Sequence, residues 1–256
     1  MYNILISNDD GIDSIGLTEL VRSVSAYAKV YVAAPARQQS AKAMSISAFR
    51  DRMRAYEVPL EGAELAFIVD GTPSDCVKFG LQMCRERGVE IDFVLGGINL
   101  GANVGMDTHY SGTVACAFEG ALQGYHAAAL SVAGHLATHF EYICSLVPML
   151  IRLSEGLSTD TVLNVNAPDL PPDEIRGIQV RRGGGRCFDI RYVPDNEPRM
   201  YYCEGYLLDR PDSAEDTDVA ALYNGYAVIT PQTLSRTDFA ALEQLSKAVI
   251  ATDSHS

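Results

Sequence analysis

The fold class of this chain can be inferred from residues 3–34, which read NILISNDDGIDSIGLTELVRSVSAYAKVYVAA. The runs at 3–7 and 29–34 are apolar over the length of a buried strand. The segment between them places apolar residues at the three- and four-residue spacing of one helix face, namely Leu17, Leu20, Val21 and Val24. A strand, a helix and a strand in this order predict two parallel neighbouring strands joined by a right-handed crossover.

The same alternation of strands and helices continues to about residue 175. Thr72, Pro73 and Asp75 suit the N-cap, first and third positions of one of these helices. Repeated units of this kind predict an α/β fold, with a doubly wound, mostly parallel, Rossmann-like sheet as the catalytic core over residues 1–175. The further elements are predicted as strands at 65–69, 91–95, 128–132 and 161–165 and as helices at 72–86, 112–123 and 138–155.

The pattern changes after residue 175. Residues 176–226 combine Gly183, Gly184 and Gly185 with scattered tyrosines and polar residues, which favours extended hairpins. This C-terminal β-hairpin extension is predicted to serve oligomerisation, and packing against its own subunit is an equally good interpretation. Residues 227–256 are predicted to return as a final strand followed by an amphipathic helix.

Composition excludes several classes of protein. The chain has 256 residues and a formal net charge of −13, so binding of a nucleic-acid polymer, which requires clustered Lys and Arg, is not expected. There is no basic segment before the first apolar run and no apolar run long enough to cross a bilayer. We therefore expect a cytoplasmic protein that does not enter a membrane. The six cysteines lack close C-x-x-C pairing and are expected to be reduced thiols.

Two adjacent carboxylates, Asp9 and Asp10, directly follow the first predicted strand. Their like charges repel, and a bound Mg²⁺ or Mn²⁺ would relieve that repulsion because these ions prefer hard oxygen ligands. A solvated Asp-Asp-Gly turn explains the pair equally well when it is taken alone.

Three other stretches also follow predicted strands, where open parallel sheets bind ligands. The stretch 35–40 ends in Ser40, whose hydroxyl is suited to a metal or a phosphate. Residues 96–105 combine glycines with Asn99 and Asn103, although a structural Gly-rich turn also explains the glycines. Residues 110–113 lead into a helix whose N-terminus is suited to an anion, and a plain N-cap is the alternative interpretation. Neither a G-x-G-x-x-G fingerprint nor a G-K-[ST] phosphate loop occurs here.

Taken together, these stretches resemble the survival protein E (SurE) family of metal-dependent nucleotidases, from residue 1 to about 230. The motifs that carry the resemblance are Asn8-Asp9-Asp10-Gly11, the Pro35–Ser40 stretch, Gly71-Thr72-Pro73-Ser74-Asp75-Cys76, the Gly97–Gly105 loop and Tyr110–Val114 with Glu119-Gly120.

The resemblance implies one divalent metal ion per subunit, Mg²⁺ or Mn²⁺, with the ligands Asp9, Asp10, Ser40 and Asn99. It implies that phosphate is bound by Asn103, Ser111, Gly112 and Thr113. The implied activity is that of a 5'-nucleotidase, a phosphoric monoester hydrolase acting on nucleoside 5'- and 3'-monophosphates and on short polyphosphate. The implied assembly is a homodimer or homotetramer.

Hydrolysis would use Asp9 or Asp10 as the catalytic base towards water, and Asp9 is the preferred candidate. His109 is the nearest candidate acid, and an ordinary loop histidine is the simpler interpretation. Residues 41–44 and Thr230-Pro231-Gln232-Thr233 depart from the family pattern, notably at Met44 and Gln232, and leave the base preference open. A nucleotide-binding regulatory protein with little or no catalysis is therefore the alternative function.

Overall fold

A computed structural model of the chain describes residues 1–47, 52–208 and 214–253. The strands are β1 (Asn3–Ser7), β2 (Lys29–Pro35), β3 (Ala55–Glu57), β4 (Leu65–Val69), β5 (Phe93–Leu100), β6 (His126–Ala133), β7 (Thr161–Pro168), β8 (Ile178–Val180), β9 (Phe188–Pro194), β10 (Tyr201–Leu207) and β11 (Ala227–Thr233). The helices are α1 (Ile15–Val24), α2 (Pro73–Glu86), α3 (Gly112–Leu122), α4 (Glu141–Ser154), α5 (Asp218–Tyr223) and α6 (Phe239–Asp253). A 3₁₀ turn at Gly105–Tyr110, called here the 105–110 turn, precedes α3.

The main sheet has nine strands in the order β3-β4-β2-β1-β5-β6-β7-β11-β8. Its central strands β4, β2, β1, β5, β6 and β7 are all parallel, whereas β3 and β11 run antiparallel to β4 and β7. The predicted doubly wound, mostly parallel α/β sheet is therefore confirmed. The antiparallel pairing of β11 was not predicted, because periodicity identifies strands but does not determine their direction in the sheet.

Both faces of the sheet are covered by helices, as the burial of every residue of β1 from Ile4 to Ser7 requires. Ile4 and Ile6 face the apolar cluster that includes residues of α1 and α4. Leu5 faces the opposite cluster, to which α2 and α3 contribute. A strand covered on both faces is apolar throughout, and this explains the continuous apolar run that ends at Ser7.

Local capping determines where two of these helices begin. The Ser14 hydroxyl accepts a hydrogen bond from the N–H of Leu17 at the start of α1. At α2, Thr72 and Asp75 form a reciprocal capping box with Pro73 at the first helical position, as predicted. The Thr72 hydroxyl also lies 2.6 Å from the Ser45 carbonyl oxygen, so this helix start holds the loop after β2.

The C-terminal extension forms a separate two-stranded antiparallel sheet. β9 pairs with β10 from Phe188 opposite Leu207 to Pro194 opposite Tyr201, which confirms the predicted hairpin. We call residues 188–207 the hairpin arm. The region 176–226 also contains β8, which joins the main sheet beside β11, and the helix α5, neither of which was predicted.

The remaining sequence expectations concern membranes and thiols. Within the described part of the chain, none of the helices combines the length and apolarity needed to cross a bilayer. All six cysteines are free thiols, and Cys76 and Cys84 are buried as expected.

Candidate active site at the carboxyl edge of the sheet

The carboxyl ends of four neighbouring strands, β1, β5, β6 and β7, meet at the edge of the sheet where Asp9, Asp10 and Asn99 lie. Ser7 of β1 is in register with Gly96 of β5, and Asn99 of β5 is in register with Ser131 of β6. Ser131 is in turn opposite Asn166 of β7. Residues that are far apart in sequence are therefore neighbours here, as expected for a parallel sheet.

Asp9 is packed against the first turn of α3. Its side chain is buried, and its Oδ1 accepts a short hydrogen bond from the Thr113 hydroxyl. A Cβ at Gly112 would lie 2.6 Å from the Asp9 Cβ and 2.7 Å from its Oδ2. A Cβ at Gly96 would lie 2.4 Å from the Thr113 carbonyl oxygen, so this glycine lets α3 approach β5. Two glycines thus allow the helix start to touch the carboxylate.

Burial is the main cause of the unusual electrostatics of the acidic pair. It raises the pKa of Asp9, the hydrogen bond from Thr113 opposes this shift, and the charge of Asp10 adds to it. Burial also raises the pKa of Asp10, against hydrogen bonds from the Leu100 backbone and from Gln38. The Asp10 Oδ2 atom is buried without a hydrogen-bond partner in the described structure.

A divalent cation fits this environment. It would supply a partner for the unpaired oxygen of Asp10 and would favour the charged form of both carboxyl groups. The described residues contain no group of three or more His, Cys, Asp or Glu side chains suited to a metal. A cation here would therefore rely on two carboxylates and on neutral oxygens.

The loop after β2 crosses the acidic pair. The Gln39 N–H lies 2.6 Å from the Asp9 carbonyl oxygen, and Gln38 Nε2 lies 3.3 Å from Asp10 Oδ1. Ser40 is the next residue and is exposed. Asn99 stands at the end of β5, where its Nδ2 donates to the Gly101 carbonyl at 2.8 Å. The structure thus places Ser40 and Asn99 on the two segments that contact Asp9 and Asp10.

Two of the predicted phosphate-binding residues, Gly112 and Thr113, lie against Asp9, whereas Asn103 contacts β6 and β7. The hydroxyl groups of Ser111 and Thr113 already have partners. The Ser111 hydroxyl accepts the N–H of Val114 at 3.1 Å as the N-cap of α3, and the Thr113 hydroxyl donates to Asp9. Capping by the Ser111 side chain leaves other N–H groups in the first turn of α3 without helical partners. These contacts are therefore compatible with a plain N-cap and also with an anion-binding site. His109 is exposed, and its Nδ1 lies 2.7 Å from the Met106 carbonyl oxygen.

A second set of contacts joins the 105–110 turn to the root of the hairpin arm, which we define as residues 183–187. The fully buried carboxylate of Asp218 accepts the N–H groups of Gly105 at 2.9 Å and Gly184 at 2.8 Å. The Asp107 carboxylate accepts the N–H of Cys187 at 2.7 Å. A Cβ at Gly105 would lie 2.1 Å from the Gly185 carbonyl oxygen. Sequence reasoning missed these contacts, because separations of 34 to 113 residues leave no local pattern.

The parallel sheet and this acidic, amide-lined edge define an α/β protein with a candidate cation and phosphate site. The chain matches the model of the family described as Survival protein SurE over residues 4–189. It belongs to that family, as the sequence motifs indicated.

Individual relatives extend the similarity over nearly the whole chain. The 5'-nucleotidase SurE of Methylococcus capsulatus is 40% identical over 248 residues, which is 95% of this chain and 96% of that protein. The 5'/3'-nucleotidase SurE of Cronobacter sakazakii is 37% identical over 249 residues, 95% of each chain. The crystal structure of the SurE protein from Aquifex aeolicus aligns with a TM-score of 0.79 at 33% identity, covering 96% of this chain and 99% of that one.

Proposed function

We propose that this chain is a 5'-nucleotidase that hydrolyses nucleoside 5'-monophosphates to nucleoside and phosphate. Two relatives with 37% and 40% identity are named for nucleotidase activity. By the same reasoning, nucleoside 3'-monophosphates are further substrates, as the name 5'/3'-nucleotidase of the relative in Cronobacter sakazakii indicates. Short polyphosphates present the same terminal phosphoryl group and are included in the proposal.

The observation that carries this proposal is the contact between the acidic pair and the start of α3. Asp9 is buried against Gly112 and Thr113, and one buried oxygen of Asp10 has no hydrogen-bond partner among the residues that the structure describes. In this proposal a region suited to a cation lies next to one suited to an anion, which is the combination that phosphoryl transfer requires. We propose that Asp9, Asp10, Ser40 and Asn99 hold one Mg²⁺ or Mn²⁺ ion.

In the proposed mechanism, the ion and the residues of the protein have separate roles. When bound by these residues, a divalent ion would neutralise phosphate charge and lower the pKa of a water molecule. Asp9 accepts the proton of the attacking water, and the hydrogen bond from Thr113 keeps its carboxylate oriented. As the new P–O bond forms, the P–O bond to the nucleoside breaks, and the leaving nucleoside oxygen takes a proton from solvent water. The N-terminus of α3 at Gly112 and Thr113 stabilises the negative charge of the phosphoryl oxygens. Asn103 donates its amide to the same group and Ser111 caps the helix.

We further propose that the hairpin arm associates two or four copies of the chain in the cytoplasm. Ile190, Tyr192, Tyr201 and Leu207 of the arm are between 45% and 73% exposed in the single chain. An apolar surface of this kind on a projecting element favours contact with another subunit. No membrane and no nucleic-acid polymer is proposed as a partner.

Phosphate release from AMP with Mn²⁺, with and without a chelator, tests the nucleotidase proposal. Asp9→Asn and Asp10→Asn are each expected to reduce kcat/KM by at least about 100-fold, since each removes a charged ligand or the base. Calorimetric titration with Mn²⁺ alone should show weaker binding in both variants. Asp173→Asn, which changes an exposed carboxylate, is the matched control and should behave like the original chain.

Two results would contradict the proposal. Unchanged turnover in Asp9→Asn and Asp10→Asn would exclude the acidic pair as the reaction centre. Tight binding of AMP without any phosphate release, across Mg²⁺ and Mn²⁺, would instead favour the nucleotide-binding regulatory protein.

A further inference from the structure

Two asparagines in a buried strand are not explained by the fold alone. Asn164 and Asn166 lie in β7 and are 0% exposed. Their strand neighbours Leu163 and Val165 are apolar, as is usual for a parallel strand covered on both faces. Burying an amide costs free energy unless it is hydrogen-bonded. The two side chains therefore need a role that apolar residues would not fill.

Both side chains hydrogen-bond to the backbone of one loop residue, Asn103. The Asn103 N–H donates to Asn166 Oδ1 at 2.7 Å. Its carbonyl oxygen accepts Asn166 Nδ2 at 2.9 Å and Asn164 Nδ2 at 2.8 Å. The backbone of Asn103 is thus held on both sides, over a separation of more than 60 residues.

The side chain of Asn103 is oriented by a further contact. Its Nδ2 donates to the hydroxyl of Ser131 at 2.8 Å, and Ser131 of β6 is also fully buried. Ser131 and Asn166 are register partners in adjacent strands, so the residues that hold Asn103 form one rigid patch of the sheet. Asn103 itself is partly exposed.

We propose that Asn166, assisted by Asn164, is a positioning residue for phosphate recognition. It fixes the backbone of Asn103 so that the partly exposed amide meets a phosphoryl oxygen of the substrate. This inference rests on the proposed function, in which Asn103 binds phosphate. Asn166 touches neither substrate nor cation in this account, and it acts through Asn103.

The arrangement predicts that loss of the Asn166 side chain weakens binding of phosphate and does not change binding of the cation. Loss of the Asn166 amide leaves the Asn103 N–H without its partner and its carbonyl oxygen with a single partner. The loop then samples other orientations, and the amide is no longer preorganised. None of the hydrogen bonds of Asn166 reaches Asp9 or Asp10.

Calorimetry with two probes tests this separation. Asn166→Ala is expected to weaken binding of inorganic phosphate, measured with saturating Mn²⁺, by roughly tenfold, and to raise the KM for AMP by a similar factor. The affinity for Mn²⁺ alone should stay within about twofold. Asn164→Ala removes a single hydrogen bond and should show a smaller loss, about threefold. Asn224→Ala, which removes a side-chain hydrogen bond at the end of α5, is the matched control.

A double-mutant cycle separates positioning from a general loss of structure. In an Asn103→Ala background the amide that Asn166 orients is absent, so adding Asn166→Ala should change phosphate affinity by less than about twofold. Equal losses in both backgrounds would overturn the proposal, and so would unchanged phosphate affinity in Asn166→Ala. If Asn166→Ala does not fold, Asn164→Ala and Ser131→Ala replace it. Unchanged phosphate affinity in both would also overturn the proposal.

The outcomes keep this inference distinct from the proposed function. If the original chain releases phosphate from AMP but Asn166→Ala binds phosphate normally, the positioning role is wrong and the nucleotidase proposal stands. If the original chain binds phosphate and Mn²⁺ without releasing phosphate from AMP, the nucleotidase proposal fails. Weaker phosphate binding in Asn166→Ala would then still support the positioning role.

Discussion

The carboxyl edge of the main sheet and the hairpin arm use their side chains in opposite ways. At the edge, polar residues such as Asp9, Thr113 and Asn166 are buried, and each has a hydrogen-bond partner within the subunit. In the arm, every residue of β10 is exposed, including its tyrosines. The edge is thus fixed by its own subunit, whereas both faces of β10 are exposed in the single chain. Changes at the edge should affect chemistry, and changes in the arm should affect assembly.

The largest expected effect on kcat/KM comes from adding one methyl group at the edge, and the same change in the arm serves as the comparison. In Gly112→Ala the new Cβ would lie 2.6 to 2.9 Å from Asp9 atoms, so the carboxylate or the helix start must move. Moving either group out of its present position is expected to reduce kcat/KM for AMP by about 100-fold. In Gly205→Ala, in β10 of the arm, the new Cβ meets no atom of the described residues within 4 Å, and this variant should leave kcat/KM unchanged.

Circular dichroism spectra and melting curves of both variants serve as the control for folding. The contrast between edge and arm would be broken if Gly112→Ala retained full activity, or if Gly205→Ala lost as much as Gly112→Ala. Either result would show that a close contact with Asp9 does not determine the reaction geometry.

Much of the edge could be predicted from sequence because its signals are local. The Asp9-Asp10 pair follows an unambiguous strand, and the Thr72 and Asp75 capping box lies within four residues. Asn164 and Asn166 could not be assigned a role, since a strand pattern does not reveal which loop its polar side chains reach. The partner of Asn103 is more than 60 residues away.

In the region that contains the arm, the sequence predicted the hairpin but not the short elements around it. Its glycines and tyrosines correctly predicted a hairpin, but β8 within the same region joins the main sheet. β8 has three residues, which is too short for a reliable periodicity, and its place beside β11 depends on long-range packing. The helix α5, of six residues, was missed for the same reason.

An intermediate effect is expected at Asp218, where the two regions meet. Asp218→Ala leaves the N–H groups of Gly105 and Gly184 without their buried acceptor. The free energy of unfolding, measured with urea, should fall by about 3 kcal/mol. Asp216→Ala breaks an exposed ion pair with Arg182 and should cost less than about 1 kcal/mol. Equal losses in the two variants would mean that Asp218 does not join the edge to the arm.

The smallest effect concerns thiol reactivity. Burial raises the pKa of Cys84 and of Cys144 to about 11, so few thiolates form at pH 8, whereas Cys203 of the arm is exposed. In dilute solution Cys203 should react with a thiol reagent at least about ten times faster than either buried thiol. The fast phase should disappear in Cys203→Ser.

Protein concentration then tests the role of the arm. If arms pair, the rate at Cys203 should fall as the chain associates, because its side chain becomes covered. A rate that is independent of concentration, in samples shown by light scattering to contain dimers or tetramers, would place the subunit interface elsewhere.

The missing side chain at Gly105 has a consequence for exchanging parts between relatives. A Cβ there would collide with the Gly185 carbonyl oxygen, so the root of the arm packs directly against the backbone of the 105–110 turn. The arm of a relative can replace this arm together with its root only if that root places a backbone carbonyl equally close to Gly105. Junctions at residues 187 and 208 would keep the native contact between Gly105 and Gly185. A junction before residue 183 would replace Gly185, so that the contact would have to be redesigned on both sides.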